Sequence, residues 1–539
     1  MFRPTRVIAI LNRRRFPPWV HGVRPLPSPL VSRAAKPHTT IPTVHSTARY
    51  IGTQVEPTPL TQPTIFALAS APGKAGVAVV RISGPRATQA LLRMTRSLQS
   101  SDSDTGIIPK PRRVTGRRII SPTTGIVLDR GLAVFFPGPH SYTGEDVVEF
   151  HAHGGAAVIR AILENLALIS GFRMAEAGEF SRRAFDNDKL DLTSLEGLVD
   201  LLNAETEAQR KQALRQAEGG LYTIYEQWRS LLVSSLANLE AVIDFGEDEN
   251  IEEGVYANVR STIEKLANDI QSYVSDERRG EIIRSGIHVA IIGPPNVGKS
   301  SFLNLLAQRQ VAIVSPVAGT TRDVLESTID IGGYPVVISD TAGLHESTDV
   351  IEMEGMRRAR ERVFLIDAAA LLPDRANILP NLTSIVDQLA PHPDLGGLPQ
   401  DEGVPTNLWV FNKCDLVPPP LLAEWIQHLQ QLRPGSPVAS LSCHTQAGFD
   451  DLLHSLAAHI QSQFDTSSAP QPLITQVRHR QQLRDCLECL ETFLDMEEGD
   501  VVLAAEELRY GAQAIGKITG RVGVEDILDV LFSQFCIGK

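Results

Sequence analysis

The chain has 539 residues, 42% of them hydrophobic and 21% charged, a folded-protein composition long enough for three or four domains. Its five cysteines, odd in number and all beyond residue 400, exclude a secreted disulfide scaffold, and no apolar run approaches the roughly 18 residues of a membrane-spanning helix. The net charge of −12 is unevenly placed: residues 1–55 hold nine Arg/Lys and no acidic residue, which leaves −21 for the rest.

In that leader, Arg3 and Arg6 stand among Phe2, Val7, Ile8, Ile10 and Leu11, and a proline-rich stretch follows. A basic, acid-free, Ser/Thr-containing leader matches a mitochondrial transit peptide. A disordered basic arm that binds nucleic acid is the alternative, and the interleaving of Arg with apolar residues favours transit. The acidic body means that any RNA contact must rest on a local patch. From Thr64 to Lys189, short apolar runs alternate with Gly/Pro punctuation. Residues 77–82 and 131–136 predict strands, 156–170 a helix and 97–113 a polar loop, hence an α+β domain. From Leu190 the period changes. Leu195, Leu198, Val199 and Leu202 share a helical face, as do Tyr225, Trp228, Leu232, Leu236, Leu239 and Ile243, and helical character extends to about Gly280. Strand and helix patterns alternate from Ile287 to about Gln463, after which helical spacing resumes through Leu483, Leu487, Leu490 and Leu494. The economical reading is one helical domain, discontinuous in sequence, with an α/β domain inserted into it.

Chemistry concentrates in the insert. The apolar run 288–292 leads into Gly293-Pro294-Pro295-Asn296-Val297-Gly298-Lys299-Ser300 and a helix-like stretch at 301–306. Strand, G-x-x-x-x-G-K-S and helix make a phosphate-binding loop: backbone N–H groups wrap the phosphates, Lys299 neutralises the β/γ oxygens, and Ser300 is placed for Mg2+. Asp340-Thr341-Ala342-Gly343 follows the strand-like 336–338, the arrangement that senses Mg2+ and a γ-phosphate. Asn412-Lys413-Cys414-Asp415 follows 408–411, and Asp415 can accept from both N1–H and the 2-amino group of guanine, a donor pair that adenine lacks. Ser442-Cys443 falls where a second guanine loop belongs, and Gly319-Thr320-Thr321-Arg322-Asp323 where a switch loop offers Thr321 to Mg2+. Together these pieces predict a guanine nucleotide-binding domain. No Gln follows 340–343 closely, so another residue must position the attacking water. The next buried strand should end near an Asp, but 363–367 comes early and Pro373 interrupts 368–374, so this strand stays unplaced; 377–406 reads as loop.

The resemblance to a family rests on longer blocks. Asn296, Gly-Thr-Thr-Arg-Asp at 319–323 and Asp-Thr-Ala-Gly-Leu at 340–344 resemble the MnmE (TrmE) family of tRNA modification GTPases. The likeness continues in Phe136-Pro137-Gly138-Pro139-His140-Ser141-Tyr142-Thr143-Gly144-Glu145-Asp146-Val147-Val148-Glu149, in Gly178-Glu179-Phe180-Ser181-Arg182-Arg183-Ala184-Phe185, in Asn187-Asp188-Lys189-Leu190-Asp191-Leu192 and in the terminal Cys536-Ile537-Gly538-Lys539. It covers about 64–539, and the leader makes the likeness one to the mitochondrial member.

That resemblance implies a multidomain architecture: a leader (1–60), an α+β N-terminal folate-binding and dimerisation domain (61–189), a discontinuous α-helical domain (190–285 and 465–539) and an inserted α/β P-loop G domain (286–464). It implies that Arg81, Glu149, Lys189 and Lys539 contact a tetrahydrofolate derivative, 5-formyl or 5,10-methylene; outside the family blocks, Arg81 and Glu149 would read as an ordinary ion pair. GTP contacts would include 296–301 (Asn296, Val297, Gly298, Lys299, Ser300, Ser301), Ser315, Pro316, Val317, Ala318, Gly319, Thr320, Thr321, Asp340, Thr341, Ala342, Gly343, Asn412, Lys413, Asp415, Ser442 and Cys443. Two G domains would meet face to face with K+ in the place of an arginine finger, held by Asn296, Ser315, the Val317 carbonyl and Thr320. Ser315 stands where the family often has Thr. Lys299, Arg322 and Glu352 would form the catalytic set, Glu352 positioning water; the alternative for Glu352 is a solvated residue on a charged helix. The implied protein is a Mg2+-dependent, K+-stimulated, homodimeric GTPase in the mitochondrial matrix. Its partner would be a FAD-dependent MnmG (GidA)-type protein, and its substrate the wobble uridine of mitochondrial tRNA. The sequence leaves open whether glycine or taurine supplies the amine.

Three other features carry less. Cys486 and Cys489 have zinc or redox spacing, but lie on a helical segment without a second Cys/His pair. Cys536-Ile537-Gly538-Lys539 mimics a prenylation box with an unsuitable last residue. His151-Ala152-His153 reads as a loop or strand end. The rival function, a ribosome-assembly GTPase that binds rRNA, would need an RNA module after residue 465, and no G-x-x-G loop or second G domain is evident there. A folate enzyme with a vestigial G domain is opposed by the intact nucleotide motifs.

Overall fold

The computed structural model describes residues 62–98, 108–245, 254–276, 278–308, 312–313, 326–339, 361–372, 378–389, 406–464, 472–497, 500–523, 525–535 and 538. Two seven-stranded sheets and a set of long helices organise them.

The first sheet is built from β1 (Thr64–Leu68), β2 (Ala75–Ser83), β3 (Thr95–Ser97), β4 (Thr115–Ile120), β5 (Val127–Phe136), β6 (Val147–Gly154) and β7 (Phe172–Met174), in the order β3-β4-β5-β6-β2-β1-β7. Only the β1–β7 pair is parallel. Period-two alternation decides its faces. Ala78, Val80 and Ile82 of β2 point to the core under the helices Ala87–Met94 and Ala156–Ala167, and Val79 and Arg81 point to the other face. The second helix stops at Ala167 and not at 170, because Ile169 turns back to the Leu166 carbonyl and Gly171 adopts φ 85°. Both β3 and β4 went unread in the sequence; they flank the 99–107 stretch.

The second sheet runs β14 (Val438–Ser440), β13 (Thr406–Asn412), β12 (Glu361–Asp367), β8 (Ile287–Ile292), β11 (Tyr334–Ser339), β10 (Glu326–Ile331), β9 (Ala312–Ile313). Strands β14 to β11 are parallel, and β11-β10-β9 is antiparallel. The central strands are buried on both faces, hence their unbroken apolar runs. Helices Lys299–Gln308 and Phe449–Phe464 pack on one face, and Ile378–Leu389 and Pro419–Leu432 on the other. Two readings are corrected here. The unplaced strand is β12, which ends at Asp367 and pairs with both β8 and β13. Residues 378–389 are helical rather than loop: Leu382 and Val386 give them an inward face, and Pro380 sits in the first turn, where it costs no hydrogen bond.

The long helices Gly220–Phe245 and Val255–Val274, which precede the second sheet, pack with Val477–Asp495 and Val501–Thr519, which follow it. Tyr225, Trp228, Leu232 and Leu239 meet Leu483, Cys486, Leu490, Leu508 and Ile515 in one apolar core. Burial pushes the Cys486 thiol well above its ordinary pKa, so it behaves as a small apolar core residue. Ion pairs and a histidine–carboxylate hydrogen bond join the two sequence-distant halves. Arg478 and His479 hold Glu196 on helix Leu192–Asn203, and Arg480 holds Glu281 and Asp276. The C-terminal helix Glu525–Ser533 returns to the first sheet's side, where Leu531, Phe532 and Phe535 pack with Leu192, Leu195 and Val199.

Candidate functional site

The nucleotide site grows from the end of β8. Asn296 (φ 62°) and Gly298 (φ 103°) are both left-handed, which curls the backbone into a tight loop of the kind that cradles phosphate. Glycine is required at 298 on two counts: its φ, and space, because a Cβ there would lie 2.4 Å from Asn412 Nδ2. Val297 is fully buried and anchors the loop. Lys299 Nζ reaches back to the carbonyl oxygens of Gly293 (2.7 Å) and Pro294 (3.3 Å), so its charge spans the loop. Ser300 and Ser301 are exposed in the first helical turn, where Ser300 has room to meet a metal ion.

Asn412, 1% exposed at the end of β13, ties three loops together. Its Nδ2 donates to the Val297 carbonyl (2.7 Å), and its Oδ1 accepts from the N–H groups of Lys413 (2.8 Å) and Cys443 (3.2 Å). Lys413 adopts φ 63° and pairs with Asp367 Oδ2 at 2.5 Å. Asp367 Oδ1 in turn accepts from the N–H groups of Ala369 and Ala370. Asp415 is exposed in the turn Cys414–Leu416, where its carboxylate is accessible to a base. Ser442 is buried, its Oγ accepting from the Thr445 N–H. Burial pushes the Cys414 thiol up to about 11 and raises that of Cys443, so neither is a nucleophile at neutral pH. Through Asn412 the phosphate loop, the 412–415 loop and the 442–443 loop are tied together. Asp367, absent from the sequence-based set, is the addition. Its signal was an Asp at a strand end, obscured because that strand could not be placed.

Ser315, Pro316, Val317, Ala318, Gly319, Thr320, Thr321, Arg322, Asp340, Thr341, Ala342, Gly343, Glu352, Cys536 and Lys539 lie outside the described residues. The donor set that is described, backbone N–H groups with Lys299 and Ser300, suits a magnesium–phosphate group.

A second constellation lies on the first sheet. Arg81 and Glu149 face each other across β2 and β6, Nε to Oε1 at 3.0 Å. The Arg81 guanidinium sits 4.9 Å from the Tyr142 ring centroid and 5.9 Å from that of Phe180. Burial raises the Tyr142 pKa, and its hydroxyl pairs with Ser181. Glu149 Oε2 also meets His151 Nε2 at 3.3 Å. Lys189 is exposed one layer away, over Gly144, where a Cβ on that glycine would come within 3.3 Å of Lys189 Cε. The adjoining Thr143 binds Ser83 on β2. Gly538 is seated against the end of β1: a Cβ there would lie 2.0 Å from the Leu68 carbonyl oxygen, beside Ala67, which pairs with Arg81. A planar cation between two rings, beside a carboxylate, suits a planar, hydrogen-bonding heterocycle with acidic substituents.

The model described as "MnmE helical domain" matches residues 192–536, and that described as "GTP-binding protein TrmE N-terminus" matches 64–189. Across 476 residues the chain is 47% identical to a Danio rerio protein named as a mitochondrial 5-taurinomethyluridine tRNA synthase subunit, GTPB3, covering 88% of this chain and 93% of that one. The Homo sapiens protein of the same name is 43% identical over 494 residues, covering 90% and 94%. The tRNA modification GTPase MnmE of Parvibaculum lavamentivorans is 46% identical over 478 residues, covering 88% of this chain and all of that one. With a guanine-nucleotide site of the geometry above and relatives aligned over nearly nine-tenths of its length, the chain belongs to the MnmE (TrmE) family of tRNA modification GTPases.

Proposed function

We propose that this protein is the GTP-hydrolysing subunit of a mitochondrial enzyme that builds a carboxymethylaminomethyl- or taurinomethyl-type group on C5 of the wobble uridine of certain tRNAs. The observation that carries the nucleotide half is Asn412. One buried amide locks the phosphate loop to the guanine loop, which leaves Lys299 over the phosphates and Asp415 accessible to the base. The basic, acid-free leader and the mitochondrial names of the vertebrate relatives support import into the matrix.

In this reading the domain boundaries are those expected from the sequence, and the protein is a homodimer working with a FAD-dependent MnmG (GidA)-type partner. Arg81, Glu149, Lys189 and Lys539 hold a reduced folate; Arg and Lys suit its glutamyl carboxylates, and Glu149 suits the donors of its ring. Ser300 and Thr321 would hold Mg2+. Asn296, Ser315, the Val317 carbonyl and Thr320 would hold K+, whose charge would compensate that developing between the β- and γ-phosphates. Glu352 would orient the attacking water and Arg322 would assist it. GTP hydrolysis drives a conformational cycle, while the folate supplies the one-carbon unit.

Mass spectrometry of mitochondrial tRNA tests this in a strain lacking the protein. The modified wobble uridine should disappear, return with the wild-type gene and stay absent with Lys299→Ala. The mass of the lost group names the amine. Intact wobble uridines with defective ribosomal subunits would reject this function for the rRNA-binding alternative.

A further inference from the structure

The chain as a whole is acidic, yet residues 86–130 hold nine Arg/Lys against three Asp. The strand register turns part of this excess into a row. Arg96 on β3 stands opposite Arg118 on β4, which stands opposite Arg130 on β5. Residues directly opposite share a face, so three arginines line it across two strand spacings, about 10 Å. Like charges in this relation destabilise a sheet. Arg96 donates to the carbonyl oxygens of Leu92 and Thr95, which are dipoles and not counter-charges. Arg118, in the middle, donates to the Ser97 carbonyl and has a further interaction of its own, so the ends of the row, Arg96 and Arg130, carry the argument. Arg130 is exposed and makes no ion pair among the described residues, and the neighbouring Asp129 is engaged by His153.

The face on which the row stands is informative. Val134 of β5 is opposite Glu149, which is opposite Arg81. Arg130 lies four residues before Val134 on the same strand, hence on the same side. The arginine row and the Arg81–Glu149 pair therefore share the sheet face that the helices Ala87–Met94 and Ala156–Ala167 leave uncovered. Four residues along a strand and one strand across place Arg130 about 14 Å from Glu149.

We propose that the Arg96–Arg118–Arg130 row is the docking surface for the phosphate backbone of the tRNA anticodon loop. It would hold the loop so that a splayed-out base reaches the Arg81–Glu149 pair. The assignment rests on the tRNA-modifying function proposed above. Guanidinium forks on long side chains pair with phosphate oxygens, and a single-stranded loop can present an unstacked base from a backbone held at the sheet edge. An acidic protein that binds RNA needs such a local basic face, because its overall field repels the ligand.

The test uses the full chain and an unmodified transcript of a tRNA with uridine at the wobble position. Its affinity is measured across a potassium chloride series for wild type, an Arg96→Gln/Arg130→Gln double variant and an Arg96→Lys/Arg130→Lys control. Loss of two single-strand phosphate contacts should lower the slope of log affinity against log salt by about 1.4 and weaken binding roughly tenfold at the lowest salt. The lysine control should keep most of the slope, and GTP turnover and oligomeric state by size-exclusion chromatography should match wild type in both. Wild-type slope and affinity in the double variant would overturn the surface alone. An altered oligomeric state or lost GTP turnover accompanying the weakened binding would also overturn it, making the row a structural contact. A wild-type protein that binds no tRNA at any salt would overturn the surface, while the function on which it rests stands or falls with the wobble-uridine mass spectrometry.

Discussion

Truncating Asn412 tests whether the nucleotide site is held together as described. In Asn412→Ala, the Val297 carbonyl loses its buried partner, the half-buried Cys443 N–H loses its acceptor, and Lys413 loses its turn contact. A buried polar group left unpaired costs about 1–3 kcal/mol, so about 2 kcal/mol for the buried Val297 carbonyl and about 1 kcal/mol for the half-buried Cys443 N–H amount to about 3 kcal/mol. That cost falls mainly on the nucleotide-bound state, which needs all three loops in register. A loss of about 3 kcal/mol corresponds to GTP binding weakened by roughly 100-fold. Titration of a fluorescent GTP analogue measures it, and far-ultraviolet circular dichroism checks that the sheet is intact. Asn412→Asp should be at least as damaging, because a carboxylate oxygen would face the Val297 carbonyl. GTP affinity within about threefold of wild type in the alanine variant would refute the argument, since one lost hydrogen bond of ordinary net worth already exceeds it.

Asp415→Asn should shift base preference, weakening GTP relative to xanthosine triphosphate by roughly 100-fold through two charge-assisted hydrogen bonds; unchanged guanine preference in competition binding would show that Asp415 does not read the base. Potassium should raise GTP turnover at least about tenfold over sodium at equal ionic strength, an effect lost in Asn296→Ala; equal rates would remove the cation mechanism. Gly538→Ala should leave GTP turnover unchanged, while wobble-uridine modification falls on the order of 100-fold, because a Cβ 2.0 Å from the Leu68 carbonyl oxygen must displace the tail. Unaltered modification would exclude the tail from the site. Thermal stability should fall on acidification. Burial holds the His479 pKa below its usual value despite the attraction of Glu196, and His479 with Arg478 holds Glu196 low despite its burial. A native state that binds fewer protons than the unfolded chain loses stability as pH drops below about 6.5, and further as it drops through the Glu196 range. His479→Gln keeps a donor for Glu196 and should flatten the upper part of that decline; an identical pH profile of the melting temperature would contradict the pairing.

Nucleotide chemistry was legible in the chain because it is local. Gly298, Lys299 and Ser300 act through one turn and the helix it opens, and Asn412 and Asp415 through a single strand end, so spacing alone exposes them. Helical character was legible for the same reason: Tyr225, Trp228, Leu232 and Leu239 repeat with the period of one helix and bury as that period requires. What the sequence could not reveal depends on partners distant along the chain. The strand ending at Asp367 is short of local signals and is defined by hydrogen bonding to β8 and β13 on either side. Arg81 and Glu149 are 68 residues apart and become a pair only through the β2–β6 register. Arg96, Arg118 and Arg130 were scattered positive charges until β3, β4 and β5 aligned them. Gly538 belongs to a terminal block whose likeness singled it out, but its seat against the end of β1 comes only from the fold. Residue type and short-range period determine the elements and the phosphate chemistry, whereas strand register, a property of two segments at once, decides which distant charges share a face.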